Sequence, residues 1–286
     1  MIPEIKPTKA SIESCTACNH RCQYCPITEY PKKQQVMTME TFSRVMAEIG
    51  STNRQFERIS LSHYNETFLD PHFLERVEIA HRLQYIDYIK VFSNLSLLND
   101  SLVAGLGFAK EKILFDINLP TTNRERYKKI HGRDHYPAVE RNIKALLDAG
   151  FKLQINAQKN TFTTEEDALS VERLFGKRAK VNVVLSDDRS GAVSGLNPNR
   201  HEGRLVGCST RRVLDYIHVG FEGEVFLCCQ DYFKKYRLGN LKEQNLTQVL
   251  ASEQARKYLS YIYGEAEAPS DFICRSCQFA VFEGKK

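Results

Sequence analysis

Apolar positions along the chain change period repeatedly. Over residues 39–49 they recur with helical spacing at Phe42, Val45, Met46 and Ile49, whereas 56–61 reads as a short strand. The alternation continues with a helix around 73–83, a strand at 86–92, a helix at 102–108 and a strand at 113–119. It closes with a helix at 138–149 ending at Gly150, a strand at 151–156, a helix at 165–174 and a strand at 181–185. Residues 4–14 supply a first strand ahead of this series. Repeated strand and helix steps predict an α/β chain whose parallel sheet is closed or partly closed on itself. No internal repeat suggests an array instead. Between 190 and 207 the pattern breaks: four glycines, a proline and two asparagines without a long apolar run read as a bridge. Beyond it, 213–219 and 224–228 predict a hairpin turning at Gly220-Phe221-Glu222-Gly223.

Composition narrows this picture. A chain of 286 residues can bury a substantial core as one large domain, or as a large one with an appendage. With 42% hydrophobic and 26% charged residues it reads as a soluble globular protein. No apolar run is long enough to span a membrane, and MIPEIKPTK at the start has no apolar signal core. The formal charge of +5 is modest and gives little support to a nucleic-acid partner.

The nine cysteines change it most. Four fall within the eleven residues from Cys15 to Cys25, and Cys18, Cys22 and Cys25 have the spacing CxxxCxxC. Soft thiolates gathered this closely suit iron-sulfur or zinc, not magnesium or calcium. For zinc, His20 or a distant residue would complete a structural site. For a [4Fe-4S] cluster, three cysteines leave one iron open. Cysteines crowded into ligand spacings point to a reducing cytoplasm and not to a disulfide framework. Cys15, outside the pattern, reads as a small buried hydrophobe.

The run Cys18-Asn19-His20-Arg21-Cys22-Gln23-Tyr24-Cys25-Pro26 resembles the cluster loop of the radical S-adenosylmethionine (SAM) enzymes. That resemblance implies a [4Fe-4S] cluster on Cys18, Cys22 and Cys25, with Tyr24 on the adenine side of SAM. It also implies that SAM on the open iron is cleaved to a 5′-deoxyadenosyl radical. Ligands of parallel sheets gather beyond the carboxyl ends of the strands, so residues there are candidates for SAM contact. Asn65 and Glu66 resemble the polar end of the family's Gly-Gly-Glu-Pro segment, although Tyr64 and Thr67 depart from it. Asn94 resembles the segment near the SAM ribose or the cluster, and Asn118 and Asn156 end the next two strands. Arg189, in SDDRSG after the last strand, would clamp a carboxylate of SAM or of an anionic substrate.

Cys208, the pair Cys228-Cys229 and Cys274-Arg275-Ser276-Cys277 supply thiolates for a second centre, iron-sulfur or zinc. Gly223 to Asp231, Gly239-Asn240-Leu241 and the final CxxC resemble the auxiliary-cluster extension known as SPASM or, in its one-cluster form, twitch. With no cysteine after Cys277, the resemblance implies one auxiliary [4Fe-4S] cluster on Cys208, Cys229, Cys274 and Cys277, with Cys228 competing. Neighbours on a strand face opposite sides, so only one of the pair is well aimed. The implied architecture is a partial (β/α)6 TIM-like barrel over 1–200, followed by a small α+β auxiliary-cluster domain over 201–286.

The overall plan is similar to that of aminocyclitol dehydrogenases, which implies oxidation of a secondary alcohol in a small polar or carbohydrate-like substrate. Arg189 and Asp231 would then act on the substrate, and a flavodoxin or ferredoxin would supply electrons. The alternative is modification of a ribosomally made precursor peptide by epimerisation or cross-linking. There Cys15 or the spare member of Cys228-Cys229 would donate a hydrogen atom.

Overall fold

The computed structural model describes residues 2–52, 54–196 and 201–284; Asn197, Pro198 and Asn199 of the expected bridge lie outside the described residues. The chain opens with β1 (Lys9–Ile12), α1 (Met39–Ser51), β2 (Phe56–Ser60), α2 (Phe73–Arg82), β3 (Ile86–Ser93) and α3 (Asp100–Gly105). It continues with β4 (Ile113–Asn118), α4 (Arg124–His131), α5 (Tyr136–Asp148), β5 (Lys152–Lys159), α6 (Glu165–Phe175) and β6 (Lys180–Leu185). Strands β1 to β6 pair in sequence order, all parallel, as the alternating pattern requires.

Local chemistry sets the helix ends. Thr38 caps α1 by accepting the Thr41 N–H at 3.1 Å, and the helix buries Phe42, Val45, Met46 and Ile49 against the sheet. Thr164 and Asp167 form a reciprocal capping box at the start of α6. The strands alternate with period two. Phe115, Ile117, Leu153 and Ile155 are buried in the apolar core, while Asp116, Asn118, Asn156 and Gln158 line a central cavity. The inner face is thus polar, and a ligand site lies inside the curve of the sheet.

The C-terminal part contains β7 (Leu205–Cys208), α7 (Arg212–Asp215), β8 (Tyr216–Val219), β9 (Glu224–Phe226) and β10 (Arg237–Asn240). It ends with α8 (Leu246–Leu250), α9 (Glu253–Ile262) and β11 (Ala280–Phe282). The expected strand over 213–219 is a helical turn followed by a shorter strand, because Arg211 takes a left-handed backbone (φ 53°) and turns the chain first. Strand β8 pairs in parallel with β1, and β9 and β10 follow antiparallel, making one nine-stranded sheet in the order β10-β9-β8-β1-β2-β3-β4-β5-β6. A separate ribbon pairs β11 with β7. Buried Lys234 reaches Glu13, just beyond β1, and Glu224 on β9 at 2.7 Å, tying the two parts of the sheet together.

Candidate active site

The loop between β1 and α1 crosses the carboxyl end of the sheet and carries Cys18, Cys22 and Cys25. Its course is fixed from α4: the Arg21 and Gln23 N–H groups donate to the carbonyls of His131 and Ile130, each at 2.9 Å. These carbonyls end α4 and have no partner within the helix. Gly132 makes the approach possible, since its φ of 66° is left-handed and a Cβ there would stand 3.0 Å from Arg21. Inside the loop, Cys25 N–H and Thr28 Oγ1 both donate to the Cys22 carbonyl, at 3.0 and 2.7 Å.

All three cysteines open onto a cavity of about 490 Å³. The same cavity is lined by Tyr24, Asn65, Glu66, Asn94, Asn118 and Arg189, so the expected SAM-contact residues converge on one space. Three soft donors facing one polar cavity fit an iron-sulfur cluster with an open iron, the group the loop implies. Burial pushes the Cys18 thiol up to about 12, the expected state of a ligand without the positive charge of its metal.

The polar groups around the cysteines have definite tasks. Glu66 accepts from Ser93 Oγ at 2.6 Å, the Asn94 N–H at 2.7 Å and the Phe68 N–H at 3.2 Å. Burial nevertheless raises its pKa above the ordinary carboxyl range. Asn94 donates to Asn19 Oδ1 at 2.9 Å, with its amide 4.0 Å from Cys18 Sγ. Asn65 donates to Cys15 Sγ at 3.2 Å and accepts the His63 N–H at 2.7 Å, so its side chain shapes the loop after β2. Cys15 is fully buried and does not line the cavity. Arg189 sits on a left-handed backbone (φ 52°), 3.3 Å from Asp187 and over the Tyr64 ring at 5.8 Å.

Asp231 stands elsewhere. It is 2% exposed and is not among the residues lining the cavity. Its oxygens accept the Lys235 and Tyr236 N–H groups at 3.0 and 2.8 Å, which gives it the task of folding the turn between β9 and β10.

Cys208, Cys274 and Cys277 line a second, small apolar cavity, and the member of the pair facing them is Cys228, not the preferred Cys229. Cys229 faces the large cavity, with an Arg212 guanidinium nitrogen 3.4 Å from its sulfur. A hydrogen bond from Cys228 together with Arg212 and Arg189 holds the Cys229 thiol below the usual thiol range. The two cavities are therefore divided by a single peptide unit. Four cysteines around one pocket suit a closed, fully ligated iron-sulfur or zinc centre.

Residues 12–163, more than half of the chain, match the model of the radical SAM superfamily. The chain belongs to that superfamily. This radical SAM enzyme generates a 5′-deoxyadenosyl radical, uses SAM and binds iron-sulfur; residues 208–278 match SPASM, described as an iron-sulfur cluster-binding domain. A curated relative, GTP 3′,8-cyclase of Chlorobaculum tepidum, is 27% identical over 132 residues, 46% of this chain but only 38% of that protein. The solved structure of BtrN in complex with AdoMet and 2-DOIA aligns with TM-score 0.62 and 16% identity over 92% of this chain and 90% of BtrN. Streptococcus suis SuiB bound to its precursor peptide SuiA aligns with TM-score 0.71 and 15% identity, over 95% of this chain and 69% of SuiB. The structure of anSMEcpe with bound AdoMet gives 0.67 and 14%, covering 96% and 84%. At these identities the likeness establishes a shared fold. No helix among the described residues is long and apolar enough to cross a membrane.

Several residues of this radical SAM enzyme's cavity carry no motif. His63, His218, Arg58 and Arg212 all line it. Among the described residues neither ring nitrogen of His63 or His218 has a hydrogen-bond partner, which leaves buried polar groups facing the cavity. The strand alternation that puts His218 inward was legible; the pairing of β8 with β1, which brings it beside His63, was not.

Proposed function

We propose that this radical SAM enzyme modifies a peptide, inverting an α-carbon by taking one hydrogen atom and returning another. The observation that carries this reading is the position of Cys229, a thiol open to the same cavity as the three loop cysteines. The good alignment with peptide-handling SuiB adds support. When bound, the cluster and SAM supply the 5′-deoxyadenosyl radical that removes the substrate hydrogen. Cys229 then gives its own: the S–H bond breaks as the C–H bond forms, and the thiyl left behind takes one electron from the reductant and one proton from solvent. A hydrogen-atom donor must hold its proton. Once Cys228 is a thiolate ligand it no longer donates to Cys229, and its negative charge raises the Cys229 pKa again.

In this reading one [4Fe-4S] cluster is held by Cys18, Cys22 and Cys25, and a second by Cys208, Cys228, Cys274 and Cys277. Glu66, Asn94, Asn118, Tyr24 and Arg189 surround SAM, Asn65 shapes the loop that carries Glu66, and Asp231 folds the turn that follows Cys228 and Cys229. Residues 1–200 form the SAM-cleaving part and 201–286 the auxiliary part, with a flavodoxin or ferredoxin as electron source.

Alcohol oxidation is the second reading. It is favoured by the end-to-end correspondence with BtrN, over 92% of this chain and 90% of that one. Reaction in D2O with SAM, a strong reductant and the short peptides encoded beside the gene separates the two. Epimerisation yields a D-residue carrying one solvent deuterium at its α-carbon, and Cys229→Ala forms deoxyadenosine without that product. Conversion of a secondary alcohol to a ketone, with no deuterium gained by any peptide, would overturn the peptide reading.

A further inference from the structure

Four side chains meet in succession from the cysteine loop to the half-buried His135. Cys22 Sγ lies 3.1 Å from His131 Nδ1, His131 Nδ1 lies 3.3 Å from His20 Nδ1, and His20 Nε2 lies 2.9 Å from His135 Nδ1. His20 and His131 are each 1% exposed, and His135 is half-buried. Two features fix the His131 ring: its position in the last turn of α4, whose carbonyls hold the loop, and stacking on Tyr127 with centroids 4.2 Å apart.

We propose that His131 is a positioning residue that donates an Nδ1–H hydrogen bond to the Cys22 thiolate and so raises the reduction potential of the loop cluster, with His20 and His135 fixing the tautomer. The inference rests on Cys22 binding that cluster and is independent of the substrate.

The tautomers follow from counting protons. A cysteine bound to iron carries none, so Cys22 can only accept, and the ring nitrogen beside it must carry hydrogen. His20 Nδ1 meets that same nitrogen and therefore presents its lone pair. Its proton lies on Nε2, donated to His135 Nδ1. One proton per ring satisfies all three contacts. His131 Nε2 is buried without a hydrogen-bond partner among the described residues; in this arrangement it is a bare lone pair, whereas the opposite tautomer would strand an N–H there and turn a lone pair toward Cys22. A hydrogen bond to a cluster sulfur strengthens as electron density on that sulfur grows. It thus favours the reduced cluster and raises its potential.

His20, Cys22 and His131 also offer three donor atoms within 4.8 Å of one another. A zinc ion would suit them, but it would draw Cys22 away from the cluster and take the place of the His131 proton. Metal content decides between these arrangements.

The test uses the full chain reconstituted without oxygen, following by electron paramagnetic resonance the reduced-cluster signal that SAM perturbs. In His131→Leu, with iron content unchanged, reduction should become about tenfold less favourable, about 59 mV for one electron. His131→Gln, which keeps an N–H donor, should recover most of that shift. Where the leucine variant loses iron, His20→Phe reads the same quantity with His131 in place: it removes the acceptor that shares the His131 N–H, so the bond to Cys22 strengthens and the potential should rise. An unchanged potential in the iron-replete leucine variant, or in His20→Phe where that one is needed, overturns the proposal. So does one zinc per parent chain that disappears in His131→Leu. A parent-like SAM-sensitive signal in Cys22→Ser would instead overturn the ligand assignment beneath it.

Discussion

Cys228 and Cys229 share a peptide bond and open onto different spaces: Cys228 faces Cys208, Cys274 and Cys277, and Cys229 faces the cavity of the SAM loop. Substitution should separate their roles. The reconstituted parent should hold about eight irons, about four per cluster. Cys228→Ala should lose about four of them, and Cys229→Ala none. Iron and sulfide assays on both variants check this, with circular dichroism reporting the fold.

Glu66 joins the loop after β2 to the end of β3 through Ser93 and Asn94. Glu66→Gln replaces an acceptor with a donor where hydrogens already point inward. Loss of a buried hydrogen bond of this kind costs about 1–3 kcal/mol, and urea unfolding should show a lower midpoint by that amount. Binding of SAM, followed by calorimetry, should weaken in the same variant.

Lys234 is flanked by Glu13 and Glu224, all three buried. Lys234→Met leaves the buried Glu224 without its cation and Glu13 with Lys32 alone, 2.9 Å away, and should destabilise the protein by about 3–5 kcal/mol. Adding Glu13→Gln and Glu224→Gln should recover most of that loss. Denaturant midpoints of the single and triple variants measure it.

His218 is 2% exposed, and burial together with Arg212 and Arg58 depresses its pKa to about 3. Between the unfolded value of about 6.5 and this folded one, the unfolded chain binds a proton that the native state refuses. Stability therefore falls as pH drops through that window, by about 2 kcal/mol at pH 5 from this group alone. His218→Phe removes that proton site and suits the rings of Tyr216 and Phe226. Its stability profile should be flatter between pH 7 and pH 5 in urea titrations.

The alternating barrel strands were legible because each apolar run faces helices on one side only, and the helix expected over 39–49 announced itself through four periodic apolar residues, while its cap Thr38 and its end at Ser51 come from the structure. Helix α4 was not. In RERYKKIH only Tyr127, Ile130 and His131 are buried, so the residues that anchor the cysteine loop sit in a segment that reads as solvated charge. Helix α9 carries its own signal, a Ser252 cap with Ala255, Leu259 and Ile262 buried on one face, which the expected elements did not include. The expected strand over 224–228 ends at Phe226, so Cys228 and Cys229 lie in the turn after β9, where strand parity does not aim them. Which of them faces the other cysteines depends on how β9 lies against β8 and β10, a long-range pairing that no local pattern encodes.

That pairing has a consequence for any attempt to divide the molecule. On one side β1 is bonded to β2 and on the other to β8, about two hundred residues later, so a shortened protein ending after β6 would expose the row of N–H and C=O groups that β8 covers. Such an open edge recruits strands from other molecules. A fragment cut there would form aggregates instead of a monomeric barrel, and fusion tags or split reporters are better joined at the exposed loop around Glu265 and Glu267 than between the two cysteine groups.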